Sequence, residues 1–300
     1  MNKELFLKYL RNKCDVAELR SIGSGDITVP QELVLEIMKK AARFPVRLLA
    51  TVHQVTAGSG SVAINSELPA VDWISEGGNY PSPDPTFAGH TFVLNKIGGL
   101  AKASEELVQD SAFNIDEVIA SIFGQAIGEK EDEAYINGTG TDEPRGLLLD
   151  AAELAAAGTA PAYEDFIELF ASLPLRYHAG AAFLMNQKTL SAVIPLVDGS
   201  GNPLFHPGGY AYSGEPSFVA GSILGCPVYL SALPDAGAGT KPILYGDFRR
   251  YVIVDRADGF KVRRLGELYA ETGEIGFSVS HRTDGALTDS EAVIALTMDV

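Results

Sequence analysis

This 300-residue chain has little cysteine, a single tryptophan and too few cations for its anions. Its two cysteines, Cys14 and Cys226, lie far apart and make neither a disulfide framework nor a Cys-x-x-Cys metal or redox pair, which fits a reducing compartment. No apolar run approaches the roughly 20 residues that span a bilayer, so no membrane partner is expected. The stretch Met1 to Arg20 mixes Lys, Glu, Arg and Asp with scattered Leu and Phe and lacks the continuous apolar segment of a secretory signal. Secretion is therefore not expected, and the sequon Asn137-Gly138-Thr139 reads as a turn rather than a glycan acceptor. With 39 Asp and Glu against 23 Lys and Arg the formal net charge is −16, which opposes tight binding to nucleic acid, because that affinity rests on cations neutralising phosphates.

Catalytic signatures are missing as well. Ser59, Ser61, Ser200 and Ser213 lie near glycines, but none sits in Gly-x-Ser-x-Gly. The loop Gly138 to Gly146 is glycine-rich, yet it follows a helix and lacks the Gly-Lys-Ser/Thr of a phosphate loop, so it reads as a turn. His53, His90, His178, His206 and His281 never fall at ligand spacing. The acidic group Glu129, Glu131, Asp132 and Glu133 is spread round one helix and reads as a solvated or intersubunit face. Arg249-Arg250 and Lys261, Arg263 and Arg264 could make a basic edge. On so acidic a chain they are expected to pair with carboxylates of this subunit or its neighbours. No catalytic, cofactor-binding or metal-ligating residue is assigned, and the chain is not expected to be an enzyme or to hold a cofactor.

What is present is 46% apolar and 21% charged residues, an ordinary globular mixture with material for a sizeable core. Met1 to Arg43 reads as a thin polar arm with two helical pieces, the second after Pro30. Strand-like Leu48, Leu49, Val52 and Val55 then enter the Ala57-Gly58-Ser59-Gly60 hinge. From Glu67 to Phe87, Pro69, Pro81, Pro83, Pro85 and Gly77-Gly78 resist helix and central strand, which predicts an extended flap. Trp73 in that flap needs a partner surface, either its own domain or a neighbouring subunit. Thr91 to Ala103 reads as a strand. A long helix follows, capped by Asn114, with Ile115, Val118, Ile119, Ile122, Phe123, Ala126 and Ile127 as one apolar stripe, and Asn137-Gly138 ends it. Tyr163 to Leu233 reads as an α/β region: a helix with Phe166, Ile167 and Phe170, strand Ala181 to Met185, a helix opened by Asn186, loop Asp198 to Gly209 and strand Cys226 to Leu230. Strands Ile243 to Tyr245 and Tyr251 to Val254 come next. Ile275, Phe277, Val279 and His281 then alternate with Gly276, Ser278, Ser280 and Arg282, the mark of a half-buried antiparallel sheet. A flap joined to a rod cannot bury enough surface against its own chain, which points to an assembly protein.

Several segments together carry a family resemblance. Trp73 and Glu76 precede Pro85-Thr-Phe87, and Ala103 to Ser111 (ASEELVQDS) precedes the long helix. Ala134 to Gly138 (AYING) and Glu143 to Leu147 (EPRGL) follow it. Asp198 to Phe205 (DGSGNPLF), Gly225 to Val228 (GCPV), Leu233-Pro234, Leu244 to Phe248 (LYGDF), Tyr251 to Arg256, Phe277 and Arg282 to Gly285 (RTDG) continue the pattern. In this order and spacing, from about Pro30 to the end, the chain resembles the major capsid proteins of tailed bacteriophages, the Hong Kong ninety-seven type shell fold. The resemblance implies an α+β subunit with an N-terminal arm (1–50), an extended loop (51–95), a peripheral domain with a spine helix (96–150 and 241–290) and an axial domain (151–240), which strand 291–300 could join. It implies pentamers and hexamers tiling an icosahedral head of a phage or prophage virion, assembled in host cytoplasm with portal and scaffolding proteins and, as an option, a decoration protein. Double-stranded DNA would be enclosed without sequence-specific binding.

Two departures shape that expectation. In relatives that crosslink their shells, a flap lysine attacks an asparagine on a neighbour with a glutamate assisting. Here Glu76 to Phe87 holds no lysine, and Gly273 and Ser280 stand where the other two would fall, so crosslinking by that route is not expected. About thirty residues precede the shell-like sequence, too few for an internal scaffold, which implies a separate scaffold or a processed chain. An encapsulin-like nanocompartment shell is the nearest alternative, and a soluble acidic hydrolase using paired carboxylates is a remote one.

Overall fold

A computed structural model describes residues 44–65, 73–74, 87–104, 106, 115–208, 219–257, 259–265 and 267–299. The expected arm helices, the flap prolines, Asn114 and Cys14 lie outside these residues. Pro45, whose ring presets φ and which has no N–H to leave unpaired, opens a short helix, α1 (Pro45–Leu49), where the sequence reads as the start of a strand. Strand β1 (Thr51–Val55) follows. The single strand expected over Thr91 to Ala103 is two: β3 (Phe87–Val93) and β4 (Asn95–Ser104), parted at Leu94. Strand β3 pairs antiparallel with β2 (Ser59–Asn65) in a two-stranded ribbon of its own. A ribbon of two strands is marginal in water unless something packs on it.

The rod is α2 (Ile115–Asn137), 23 residues and about 34 Å long at 1.5 Å per residue. Its apolar stripe does not stay together as expected. Phe123 and Ile127 are buried, while Val118 and Ile122 are exposed on the other side of the stripe. The buried side continues in steps of four through Glu131 to Tyr135, the spacing that stacks side chains along one helix face. After Asn137 the chain closes a tight turn. Gly146 N donates to Gly138 O at 2.9 Å, and the Glu143 carboxylate accepts from Thr139 N at 3.0 Å, so the loop folds onto itself as the turn reading requires. A Cβ on Gly138 would lie 2.1 Å from Pro144 O, a backbone atom that cannot step aside. Gly138→Ala is expected to destabilise the subunit by about 2 kcal/mol or more, measured by urea unfolding.

Helix α3 (Leu147–Asp150) leads to β5 (Ala152–Ala155). Helix α4 (Tyr163–Ser172), short α5 (Leu175–His178), strand β6 (Ala182–Met185) and α6 (Gln187–Val193) follow, and Asn186 Oδ1 caps α6 by accepting from Thr189 N at 2.6 Å. The expected loop Asp198 to Gly209 contains a short strand, β7 (Phe205–Pro207), paired with β8 (Val219–Ile223). With β9 (Cys226–Leu230), β10 (Ile243–Gly246) and β14 (Val293–Thr297) these make a seven-stranded mixed sheet in the order β5-β14-β10-β6-β9-β8-β7. Strand β10 therefore lies in this sheet, not with the other strands of 241–290. Its neighbours β6 and β14 belong to the sheet, and Ile243 to Gly246 are buried on both faces like them.

The other sheet is built on β13 (Glu274–Leu287), whose Ile275, Phe277, Val279 and His281 are buried as the alternation predicts, while Arg282 is exposed. It pairs antiparallel with β4 along one edge, and with β11 (Tyr251–Arg256) and β12 (Lys261–Leu265) along the other. Only β1 departs from the antiparallel expectation, running parallel to β11. Among the described residues three apolar clusters hold the subunit. One lies under α4 and α6, one between Phe123 and Ile127 of α2 and the β13 sheet, and one joins the two sheets. The joining cluster takes Val46 from α1, Tyr135 and Ile136 from α2, Leu184 and Leu244 from the seven-stranded sheet, and Tyr251 and Ile253 from β11.

Candidate functional site

Where α1, α2 and β11 meet, the fold buries charge. The Arg47 side chain, 8% exposed, donates from Nη2 to Glu131 Oε2 at 2.7 Å and from Nη1 to Asp255 Oδ2 at 2.6 Å. Its Nη2 also donates to the Tyr135 hydroxyl at 3.0 Å, which shares a 2.8 Å hydrogen bond with Thr283 Oγ1. His281 Nδ1 lies 2.7 Å from Glu131 Oε1, and the Phe260 ring stacks on the imidazole with centroids 4.6 Å apart. Beside this cluster Asp132 accepts from Val46 N at 3.1 Å and from Ser231 Oγ at 2.6 Å. Val46 N is one of the unpaired donors at the start of α1, where a carboxylate is favoured. One cation and three carboxylates thus tie α1 to α2, to β11 and to the loop after β9.

The environment sets the protonation of these groups. Burial pushes Asp255 up, but Arg47, with His281 and Thr283, outweighs it and holds the carboxyl below its ordinary range. For Asp132 burial prevails over the hydrogen bonds from Ser231, Val46 and Ala232, and the carboxyl is raised. Burial, then the Glu131 charge, raises the Tyr135 hydroxyl well above its ordinary value. Arg47 fills the space between Glu131 and Asp255, so the chemistry is that of a fastener. Among the described residues no group of His, Cys, Asp and Glu is placed to hold a metal.

The acidic group read as a solvated or intersubunit face is thereby divided. Glu129 and Glu133 are exposed, the latter paired with Lys130 Nζ at 2.7 Å, but Glu131 and Asp132 are buried at 3% exposure each. A signal for this exists in the sequence, since Glu131 sits midway along the row Phe123, Ile127, Tyr135. Of the basic positions, Arg249 Nε pairs with Asp247 Oδ1 at 2.8 Å and Arg250 lies over the Tyr177 ring. Lys261 and Arg263 line a groove on the exposed side of the β13 sheet. Of the histidines whose side chains are described, His53 and His206 are exposed, His178 bonds Leu173 O, and His281 enters the buried cluster.

Unpaired surface marks where the subunit is incomplete. Trp73 is 106% exposed, so its own domain does not cover it, and Ile74 beside it is 37% exposed. Val93 at the base of the ribbon and Val118 and Ile122 on the spine are exposed as well. At the positions expected for crosslinking chemistry, Gly273 has φ of 64° and Ser280 is half-buried on β13, opposite Gly98 and Lys261.

The sequence profile described as the phage capsid family matches residues 25–298. Among solved structures, the capsid of an empty GTA particle is similar over 87% of this chain and 90% of that one, at 27% identity and a TM-score of 0.71. A chain of Mycobacterium phage Bobi is similar over 95% of this chain and 99% of its own, at 22% identity and a TM-score of 0.60. The holo-SrpI encapsulin complex from Synechococcus elongatus PCC 7942 is similar over 95% of both chains, at 20% identity and a TM-score of 0.58. At their lower identities the last two speak for the fold alone. No curated protein matches the chain.

Proposed function

Because the chain belongs to the phage capsid family and is a structural subunit of a virion shell rather than an enzyme, we propose how its parts share the work of assembly. Residues 1–50 serve as the arm and 51–95 as the extended loop. Residues 96–150 and 241–290, apart from β10, form the peripheral domain on the spine helix, and 151–240 with β10 and β14 form the axial domain. Ribbon and arm lie across adjacent subunits of pentamers and hexamers, and the outer half of the spine stripe adds further contact. The observation that carries this is Trp73, wholly exposed in the sequence between β2 and β3, two strands that among the described residues pair only with each other. Many contacts, each of about 1,000 Å² or more, sum to a strong container even when single pairs are weak.

Portal and scaffolding proteins, optionally a decoration protein, and double-stranded DNA are the partners this reading adds, with assembly in host cytoplasm. The charge of −16 favours DNA confined rather than gripped. Likeness to an encapsulin keeps a nanocompartment as the second reading. Family membership counts against the acidic hydrolase. Expression of the full chain, alone and with its scaffold, followed by negative-stain electron microscopy, is expected to show closed megadalton shells. A monodisperse monomer under every condition would reject the reading, and shells loaded with an enzyme instead of DNA would favour the nanocompartment.

A further inference from the structure

Arg47 alone does not balance the charge it is buried with. Its guanidinium is always protonated and donates to both Glu131 and Asp255, while the Tyr135 hydroxyl, held well above its ordinary value, adds no charge of its own. One cation against two carboxylates leaves a net negative charge out of reach of water, a costly arrangement unless a second cation is present.

His281 stands where that charge is left over, at 2% exposure. Its Nδ1 lies 2.7 Å from Glu131 Oε1, and Arg47 bonds the other oxygen of that carboxylate, so Nδ1 is the donor. Its Nε2 has no hydrogen-bond partner among the described residues and lies 3.7 Å from Asp255 Oδ1. In a neutral ring with its proton on Nδ1, the Nε2 lone pair would meet a carboxylate oxygen, acceptor against acceptor. A proton on Nε2 removes that conflict and supplies the missing positive charge. No other cation is placed to do so. Phe260 stacks on the ring, Ile97 of β4 is the register partner of His281, and Asp132 turns to Val46 N and Ser231. Lys96, Arg256, Lys261, Arg263 and Arg282 line the opposite face of the sheet.

We propose that His281 is the second cation of this cluster, an imidazolium held between Glu131 and Asp255, and that loss of its proton loosens α1 from α2. Arg47 would then be the only cation between two carboxylates, and α1 is the element that joins residues 1–43 to the folded subunit. The fastening of that segment is thereby made sensitive to pH. The sign follows from linkage: an unfolded histidine gives up its proton near about 6.5, so a proton kept in the cluster is taken up on folding. The stabilisation is fully present below about 6.5 and is lost as pH rises through the folded value. The device is internal to one subunit and does not depend on shell assembly.

Hydrogen exchange of the unassembled full-length subunit between pH 6 and pH 9 tests this, with rates corrected for the intrinsic dependence on pH. The amides of Leu48 and Ala50, bonded to Phe44 O and Val46 O at 2.9 and 2.8 Å, report on α1, and Leu244 in the seven-stranded sheet serves as reference. Relative to Leu244, protection of α1 is expected to fall about tenfold or more over this range. His281→Gln, which can donate to Glu131 but carries no charge, should show the low protection already at pH 6 and no further change. Glu131→Gln, which leaves one carboxylate for one guanidinium, should abolish the pH dependence. Protection of α1 in the wild type that is independent of pH, or a pH dependence that persists in His281→Gln, would overturn the proposal. Should both variants fail to fold, ¹⁵N-histidine NMR of the wild-type subunit decides directly: both ring nitrogens of His281 protonated at pH 6 is the expected result, and a neutral ring at that pH would overturn it.

Discussion

Arg47→Ala is expected to destabilise the folded subunit by about 3–5 kcal/mol, because it leaves Glu131 and Asp255 buried without their cation. Both carboxylates are nearly inaccessible to water, at 3% and 2% exposure, so solvent cannot replace the lost hydrogen bonds. Urea unfolding at neutral pH measures the loss, and the pH dependence identifies its cause. In the wild type Asp255 has a depressed folded value, so its contribution is fully present above the ordinary carboxylate range near about 4 and is lost as pH falls through the folded value. Without Arg47, burial dominates and raises that carboxyl, so mild acidification neutralises it and the gap between variant and wild type should narrow from pH 7 toward pH 5. Asp132, raised by burial in both proteins, favours acid equally in each and cancels from the comparison. A deficit that stays constant with pH would show that Arg47 acts only through its packed stem.

Trp73→Ala is expected to leave the subunit's thermal unfolding unchanged and to raise the concentration needed for shell assembly by about 30-fold or more. The two halves follow from one fact. At 106% exposure the indole loses nothing within its own chain when truncated, yet a buried tryptophan at an interface is worth about 2 kcal/mol or more at each contact. Repetition round a closed shell multiplies that loss, so assembly fails before folding does. Light scattering during assembly together with calorimetry of the subunit separates these outcomes. Unchanged yield and heat resistance of the particles would remove Trp73 from the interface.

Much of this protein is legible before any coordinates are known. The alternation through Ile275, Phe277, Val279 and His281, the cap at Asn186 and the strand Cys226 to Leu230 all appear where local pattern puts them, because period and capping chemistry involve residues close in sequence. Long-range pairing is another matter. Strand β10 reads as a neighbour of β11, since only four residues part them, but the chain crosses from one sheet to the other at Asp247 and Phe248. The break at Leu94 that frees the ribbon from the β13 sheet is equally silent, because β3 and β4 share strand propensity and differ only in their partners.

Periodicity and capping by themselves determine the long helix and the main strands, and the order of motifs carries the resemblance that implies the α+β class and the family, since each is a property of local chemistry or of linear spacing. Only the tertiary structure decides which charges are hidden. Glu131 and Glu133 are alike in sequence and two residues apart, yet one is an internal anchor and the other faces water, because Arg47 arrives from 84 residues away to meet the first. In the same way, cations scattered over β4, β11, β12 and β13 become one groove only when strand register sets Lys96 across from Arg282. Electrostatic energy depends on distance in space and on access to water, and neither is encoded in the spacing along a chain.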